Sequence, residues 1–275
     1  MDPFAHRVAA RFKSKKRLES GNTVYVYSPR QVALRNSEKA GRLEKLRGSI
    51  KSLRSQVRKD LTSDDPDTAL TALAVALIDH TYERVGNDGS AEERGHYGVT
   101  GWQRDHISFG KGKATIQYVG KSGVKQKKTV TDGRILAALK DAYEGCDGDS
   151  IFSHGVGKVD ASKVNSYLKQ FDVTAKDLRG FHANREMQSA LRAVRSKGGA
   201  LPEDRDEREA QLKKEFEKAL EITAEAVGHE AATLKNQYLV PGLEATFLKD
   251  GKVLGRMKAA AAVAERFREY LNGRS

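Results

Sequence analysis

The chain has 275 residues, 38% hydrophobic and 31% charged, which describes an ordinary globular protein with length enough for a packed core. A single cysteine, Cys146, and the absence of any CxxC spacing exclude an internal disulfide framework and a structural zinc site. The longest apolar run, Ala72 to Ile78, is under half of the ~18 residues a membrane span needs, and the first residues lack the apolar stretch of a secretory signal.

Charge is unevenly placed. Residues 1–60 hold 16 Lys/Arg against 5 Asp/Glu, a net of +11, whereas the remaining residues hold 33 against 32. Such a basic leading segment on a near-neutral body suits contact with a polyanion, of which nucleic acid is the commonest. The charge break divides the chain into a basic N-terminal segment, 1–60, and a main domain, 61–275. Residues 1–20 read as a mobile basic arm whose deletion should weaken DNA binding and its salt dependence.

Thr23 to Tyr27 alternates like a strand. From Gln31 to about Asp60, the apolar positions Leu43, Leu46, Ile50, Leu53 and Val57 recur every three or four residues, which predicts an amphipathic helix. TSDDPD then marks a turn and a capped helix start, and Ala69 to Val85 reads as one buried helix. A loop follows Gly86. HISFG, ATIQYVG and VKQKKTVT, separated by glycine-rich turns, predict a small antiparallel sheet, and helices return from Gly133. The highly charged stretch Leu201 to Glu221 reads as an exposed spacer helix, Pro241 as a helix end, and the Ala- and Arg-rich terminus as a last helix. The fold expected is mainly α with a small antiparallel sheet.

GKSG at Gly120 to Gly123 is not a phosphate-cradling P-loop. The glycine that opens that motif is missing, and Lys121 sits in a strand-to-strand turn. Three other segments carry cations and candidate catalytic groups: TYERVGND with Arg84, TAKDLRGFH with Lys176 and Arg179, and AVGHEAATLKNQY with His229 nine residues before Tyr238. Alone, each reads equally well as a helix cap, an ion pair or a core histidine.

In order, Arg84, Lys121, Lys176-x-x-Arg179, His229 and Tyr238 resemble the active-site signature of the type IB DNA topoisomerases, in their poxvirus-like and bacterial branch. ERVGND, YGVTGWQRDHI, YVGKSGV, AKDLR and AVGHEAATLKNQY match successive family segments over about residues 25 to 275. The resemblance implies the topoisomerase IB and tyrosine recombinase catalytic fold, and relaxation of supercoiled duplex DNA through a 3′-phosphotyrosyl intermediate. It implies a monomer needing neither metal, ATP nor another cofactor, and a place with the DNA in the cytoplasm or nucleoid, or wherever a viral genome lies. Tyr238 is then the nucleophile and Arg84 and Arg179 stabilise the phosphorane. His229 donates to a non-bridging oxygen, Lys121 protonates the leaving 5′ oxygen, and Lys176 supports the phosphate.

Two alternatives stand beside it. A tyrosine site-specific recombinase shares the constellation, but usually carries His-x-x-Arg where this chain has Lys176 to Arg179, and has a longer N-terminal domain. A non-catalytic DNA-binding module is the other. At the front, only the end of the family's N-terminal β domain is matched, by YVYSPRQVALRN. Geometry adds an expectation: nine residues of unbroken helix would put His229 and Tyr238 on opposite faces, about 13 Å apart along the axis. The helix must break near residues 228–231.

Overall fold

The computed structural model describes residues 14–17, 23–26, 29–86, 95, 97–120, 123–155 and 157–253. Two strands come first, β1 (Ser14–Arg17) and β2 (Thr23–Val26), paired antiparallel with Ser14 opposite Val26. Part of the expected mobile arm is thus a strand, because the alternating TVYV run offers it a ladder of backbone partners.

Helix α1 (Pro29–Asp60) follows. Its predicted stripe is buried: Leu43, Leu46, Ile50, Leu53 and Val57, joined by Ala40, pack on α2 (Pro66–Thr81) and α5 (Ala175–Lys197). The Asp65 carboxylate caps α2 by accepting from the Thr68 N–H, and Pro66 takes the first turn, where no amide hydrogen is needed. Every residue from Thr71 to Ile78 is buried, so α2 is the central helix.

Helix α2 ends at Thr81, short of the expected Val85. Tyr82 turns left-handed (φ 61°) and donates its N–H to the Ile78 carbonyl, which stops the helix. Residues 82–86 then run as a strap, because the Arg84 and Val85 carbonyls each accept a 2.8 Å bond, from Val99 N and Thr100 N. Gly86 (φ +113°) and Gly98 let the two segments touch. A Cβ on Gly98 would lie 2.5 Å from Gly86 Cα and 2.8 Å from the Arg84 carbonyl.

The expected sheet forms from β3 (Ile107–Gly110), β4 (Lys113–Val119) and β5 (Lys125–Val130), in the order β3-β4-β5 and antiparallel throughout. Ala114, Ile116 and Tyr118 of β4 face the core, while Lys125 and Lys127 of β5 are exposed. Helix α3 (Gly133–Gly145), the short hairpin β6 (Ser153–His154) and β7 (Gly157–Lys158), and α4 (Ala161–Lys169) lead into α5.

Helix α6 (Arg205–Val227) corrects the spacer reading. Beneath its charged outer surface Leu212, Phe216, Ala219, Leu220, Thr223 and Val227 are buried against α5 and α8 (Leu243–Asp250). Local charge density hid a stripe at helical spacing. The expected C-terminal helix and most of the loop after Gly86 lie outside the described residues. Among those described, no helix is long and apolar enough to cross a membrane.

Candidate active site

The end of α6 organises the site. Gly228 caps the helix in the left-handed region (φ 64°, ψ 48°), and the His229 N–H bonds back to the Ala224 carbonyl at 2.8 Å. A Cβ on Gly228 would fall 2.7 Å from Gln126 Oε1 and 3.2 Å from Lys128 Nζ, so β5 packs directly against this turn. Glycine suits the left-handed φ here, and a side chain would also have to displace the ends of Gln126 and Lys128.

The predicted break between His229 and Tyr238 is present. After an extended His229–Glu230 link, the chain forms the single turn α7 (Ala231–Thr233) and a wide π turn, Leu234–Tyr238, closed by Leu239 N to Leu234 O at 3.1 Å. π turns of this kind concentrate at functional sites. The result brings the two rings to 4.3 Å between centroids, tilted by 40°.

Two side chains grip the turn. Asn184, fully buried, donates to the Tyr238 carbonyl at 2.9 Å and accepts from Val240 N–H at 2.8 Å. Lys39, from α1, donates to the Leu239 carbonyl at 2.9 Å and lies 3.4 Å from that of Gln237. Burial, and then the charges of Lys176 and Arg42, lower the pKa of Lys39 to about 8.

Arg179 and Lys176 stand one turn apart on α5, under a Thr174–Asp177 capping box, and both approach the Tyr238 ring, at 5.7 and 5.9 Å from its centroid. Arg179 is 2% exposed and donates through Nη2 to the Val227 carbonyl at 2.9 Å, while its Nε and Nη1 have no protein partner. Arg84 Nη2 lies 3.3 Å from His229 Nδ1. Because guanidinium only donates, Nδ1 is the acceptor and Nε2 carries the proton, a tautomer assigned from this network. Burial, and then the charges of Arg179, Arg84 and Lys128, hold the His229 pKa down to about 3, so the ring is neutral. Its Nε2 is buried and unpartnered as well.

Beneath these cations lies Glu83, 3% exposed. One carboxylate oxygen accepts from the Arg84 N–H at 3.2 Å, and the other is 3.4 Å from Lys128 Nζ in an ion pair without hydrogen-bond alignment. The Tyr118 hydroxyl lies nearby. Its pKa is pushed far up, first by burial and then by the Glu83 carboxylate.

The structure therefore gathers Arg84, Lys176, Arg179, His229 and Tyr238 along one cleft of ≈ 730 Å³. Lys121 lies outside the described residues. Sequence reasoning missed Glu83, Lys128, Lys39 and Asn184. Of these only Glu83, next to Arg84 in the chain, had a signal nearby in the sequence. A second cleft of ≈ 340 Å³, lined by Arg54, Asp79 and His182 among others, differs in that its carboxylate bonds to both the Arg54 guanidinium and the His182 ring. Among the described residues, no three His, Cys, Asp or Glu side chains cluster so as to hold a metal ion. Three unpaired donors beside a tyrosine form a receptor for a tetrahedral anion.

The chain resembles several known proteins. The family described as eukaryotic DNA topoisomerase I, catalytic core, matches residues 28–243. DNA topoisomerase 1B of Acanthamoeba polyphaga mimivirus is 24% identical over 233 residues, covering 80% of this chain and 67% of that protein. DNA topoisomerase 1B of Vaccinia virus (strain Copenhagen) is 24% identical over 221 residues, with the same coverages, 80% and 67%. Among solved structures, the XerH site-specific recombinase bound to palindromic difH substrate, a post-cleavage complex, aligns with a TM-score of 0.42 at 15% identity. That alignment covers 84% of this chain and 52% of the recombinase chain.

Proposed function

Since the chain belongs to the type IB DNA topoisomerase family, we propose that it relaxes supercoiled double-stranded DNA by cutting and resealing one strand, with Tyr238 as nucleophile. The phenol oxygen attacks a backbone phosphorus, a Tyr238 O–P bond forms, and the P–O5′ bond breaks. A 3′-phosphotyrosyl link and a free 5′-hydroxyl result. Rotation of the duplex and the reverse attack restore the strand with fewer supercoils, and the energy of the broken phosphodiester is kept in the phosphotyrosine, so no ATP enters the balance.

Each residue has a part consistent with its surroundings. Tyrosine titrates near 10, so attack at neutral pH needs a site that favours negative charge on the phenol and the phosphate. Arg179 offers Nε and Nη1, which match two phosphate oxygens as a fork, and Arg84 approaches from the strap. Neutral His229 offers its Nε2–H to a non-bridging oxygen. Lys176 supports the phosphate, and Lys121 protonates the departing 5′ oxygen. Residues 61–275 carry this chemistry, residues 1–60 add the basic approach to DNA, and the protein acts as a monomer wherever its DNA resides.

The observation that carries the reading is the set of three buried donors without partners, Arg179 Nε and Nη1 and His229 Nε2, gathered around the Tyr238 ring. The test is incubation with supercoiled plasmid in EDTA without nucleotide, then denaturation. Relaxed topoisomers and a covalent protein–DNA adduct are expected, the adduct at the 3′ end of the nick. Binding without an adduct would leave only a DNA-binding module. Exchange between paired specific sites without relaxation would indicate a recombinase.

A further inference from the structure

Glu83 is out of place in a phosphate site. Among the described residues lining the cleft it is the only buried carboxylate, since Glu225 and Glu230 are exposed. A buried negative charge repels an incoming phosphate and loses its own hydration. Its surroundings explain what it does instead. Through one oxygen it holds the backbone N–H of Arg84, and through the other it faces Lys128 Nζ at 3.4 Å, with side-chain exposures of 4% and 11%. Its charge is also the main favourable electrostatic partner of buried Arg179.

Lys128 extends the connection. Its Nζ lies 3.2 Å from where a Gly228 Cβ would stand, at the turn whose carbonyls hold Arg179 and which precedes His229. One carboxylate thus joins the Arg84 strap, strand β5 and the end of α6. Without it Arg84, Lys128 and Arg179 would crowd together with no counter-charge whenever DNA is absent.

We infer that Glu83 and Lys128 form a positioning pair for the cleavage reaction, tying the Arg84 strap to β5 and the His229 turn so that the cations stand preassembled for the scissile phosphate. This rests on the proposed function of the same site. Neither residue touches the reacting atoms. The pair acts through Arg84, Arg179 and His229.

The test compares Glu83→Gln and the neutral double variant Glu83→Leu/Lys128→Leu with the parent protein. Adduct formation is followed in a single turnover at saturating duplex, and equilibrium binding is measured in a Tyr238→Phe background. Both variants should form adduct about a hundredfold more slowly at saturation, the scale of a roughly 1 Å misplacement. Glu83→Gln should bind duplex as tightly as the parent or a few-fold tighter, because a negative charge has left a phosphate site. A purely structural role would lower the melting temperature and leave the saturated rate unchanged, and that result in either folded variant overturns the inference. So does failure of both variants to fold. A parent that forms no adduct sinks the proposed function itself. A parent that does, matched by its variants, sinks only the positioning role.

Discussion

Helix α5 places Arg179 and His182 three residues apart, yet the two belong to clusters of opposite character. Around His182 the components are Arg54, Asp79, Tyr82 and Arg185. Around Arg179 they are Arg84, His229, Tyr238 and Lys176. The residue types nearly repeat, but in the first, closed cluster the donors meet a carboxylate, and only His182 Nδ1, the ring's acceptor nitrogen, has no partner. His182 Nε2 and the Arg54 fork both meet Asp79, at 2.7 Å for the shorter contacts, and Tyr82 stacks on His182 at 4.2 Å while its hydroxyl donates to Glu186. Burial pushes the Asp79 carboxyl up, but its bonds to His182 and Arg54 outweigh that and bring it down to about 2. In the second cluster Glu83 faces Lys128 and an amide, and the arginine and histidine donors are left over. What separates a structural knot from the proposed reactive site is therefore one missing anion, which in the proposed reaction a DNA phosphate supplies.

Removing the nucleophile is the most severe way to test that contrast. Tyr238→Phe should abolish the covalent adduct while leaving non-covalent duplex binding in place, as seen on a denaturing gel beside a binding titration. An adduct that survives would move the nucleophile elsewhere and end the contrast. The matched pair Arg179→Ala and Arg54→Ala comes next. Losing Arg179 should slow single-turnover cleavage by about 10²–10³-fold, the usual loss for one donor to a developing oxyanion. Losing Arg54 should leave that rate alone and cost about 2 kcal/mol of stability, below the fully buried figure because its side chain is 36% exposed. Chemical denaturation and adduct kinetics on both variants separate the effects. A large rate loss in Arg54→Ala would show that the two clusters are one.

Much of this was legible in the sequence. The stripe of α1, the capped start of α2 and the three strands follow from periodicity and turn chemistry. The incompatibility of nine helical residues with a shared phosphate demanded the break that Gly228 provides. Three features were hidden for one reason, that their partners are distant in the chain. Lys39 reaches the Tyr238 turn across 200 residues, Asn184 across more than 50, and Lys128 meets Glu83 only because β5 docks on the strap. The early end of α2 was hidden too. An apolar run reads as helix until a tertiary bond draws the backbone away, and the Arg84 and Val85 carbonyls belong to Val99 and Thr100.

A smaller effect separates the clusters by pH. Free imidazole titrates near 6.5 and folded His229 at about 3, so between these values the unfolded chain holds a proton that the native state refuses. The native state thus keeps its full stability above pH 6.5 and loses it progressively as pH falls towards 3. His106 and His182, also lowered mainly by burial, push in the same direction, so the informative quantity is a difference. His229→Asn should flatten the fall of melting temperature between pH 7 and 4 by no more than one proton's share. Asp79 does not enter this window, because its contribution is lost only below its ordinary value of 3.8. An unchanged slope in the variant would mean that native His229 takes up its proton over this range as readily as the unfolded chain does, so that burial and its cationic neighbours do not keep the ring neutral.

Tyr82 gives the finest test, because it belongs to the closed cluster yet lies two residues from Arg84. Its left-handed backbone costs a non-glycine residue about 1 kcal/mol, and the structure holds it there by stacking on His182 and by hydroxyl bonds with Glu186 and Arg185. Tyr82→Phe keeps the stack and loses the hydroxyl, so it should cost about 1 kcal/mol of stability and leave cleavage unchanged. Tyr82→Gly relieves the backbone strain and forfeits the stack. If the strap is held by its own bonds to Val99 and Thr100, that variant too should cleave at the parental rate once folded. A cleavage defect in Tyr82→Gly absent from Tyr82→Phe would show instead that the stacked ring fixes the direction in which Arg84 leaves the helix, making the closed cluster a support for the open one.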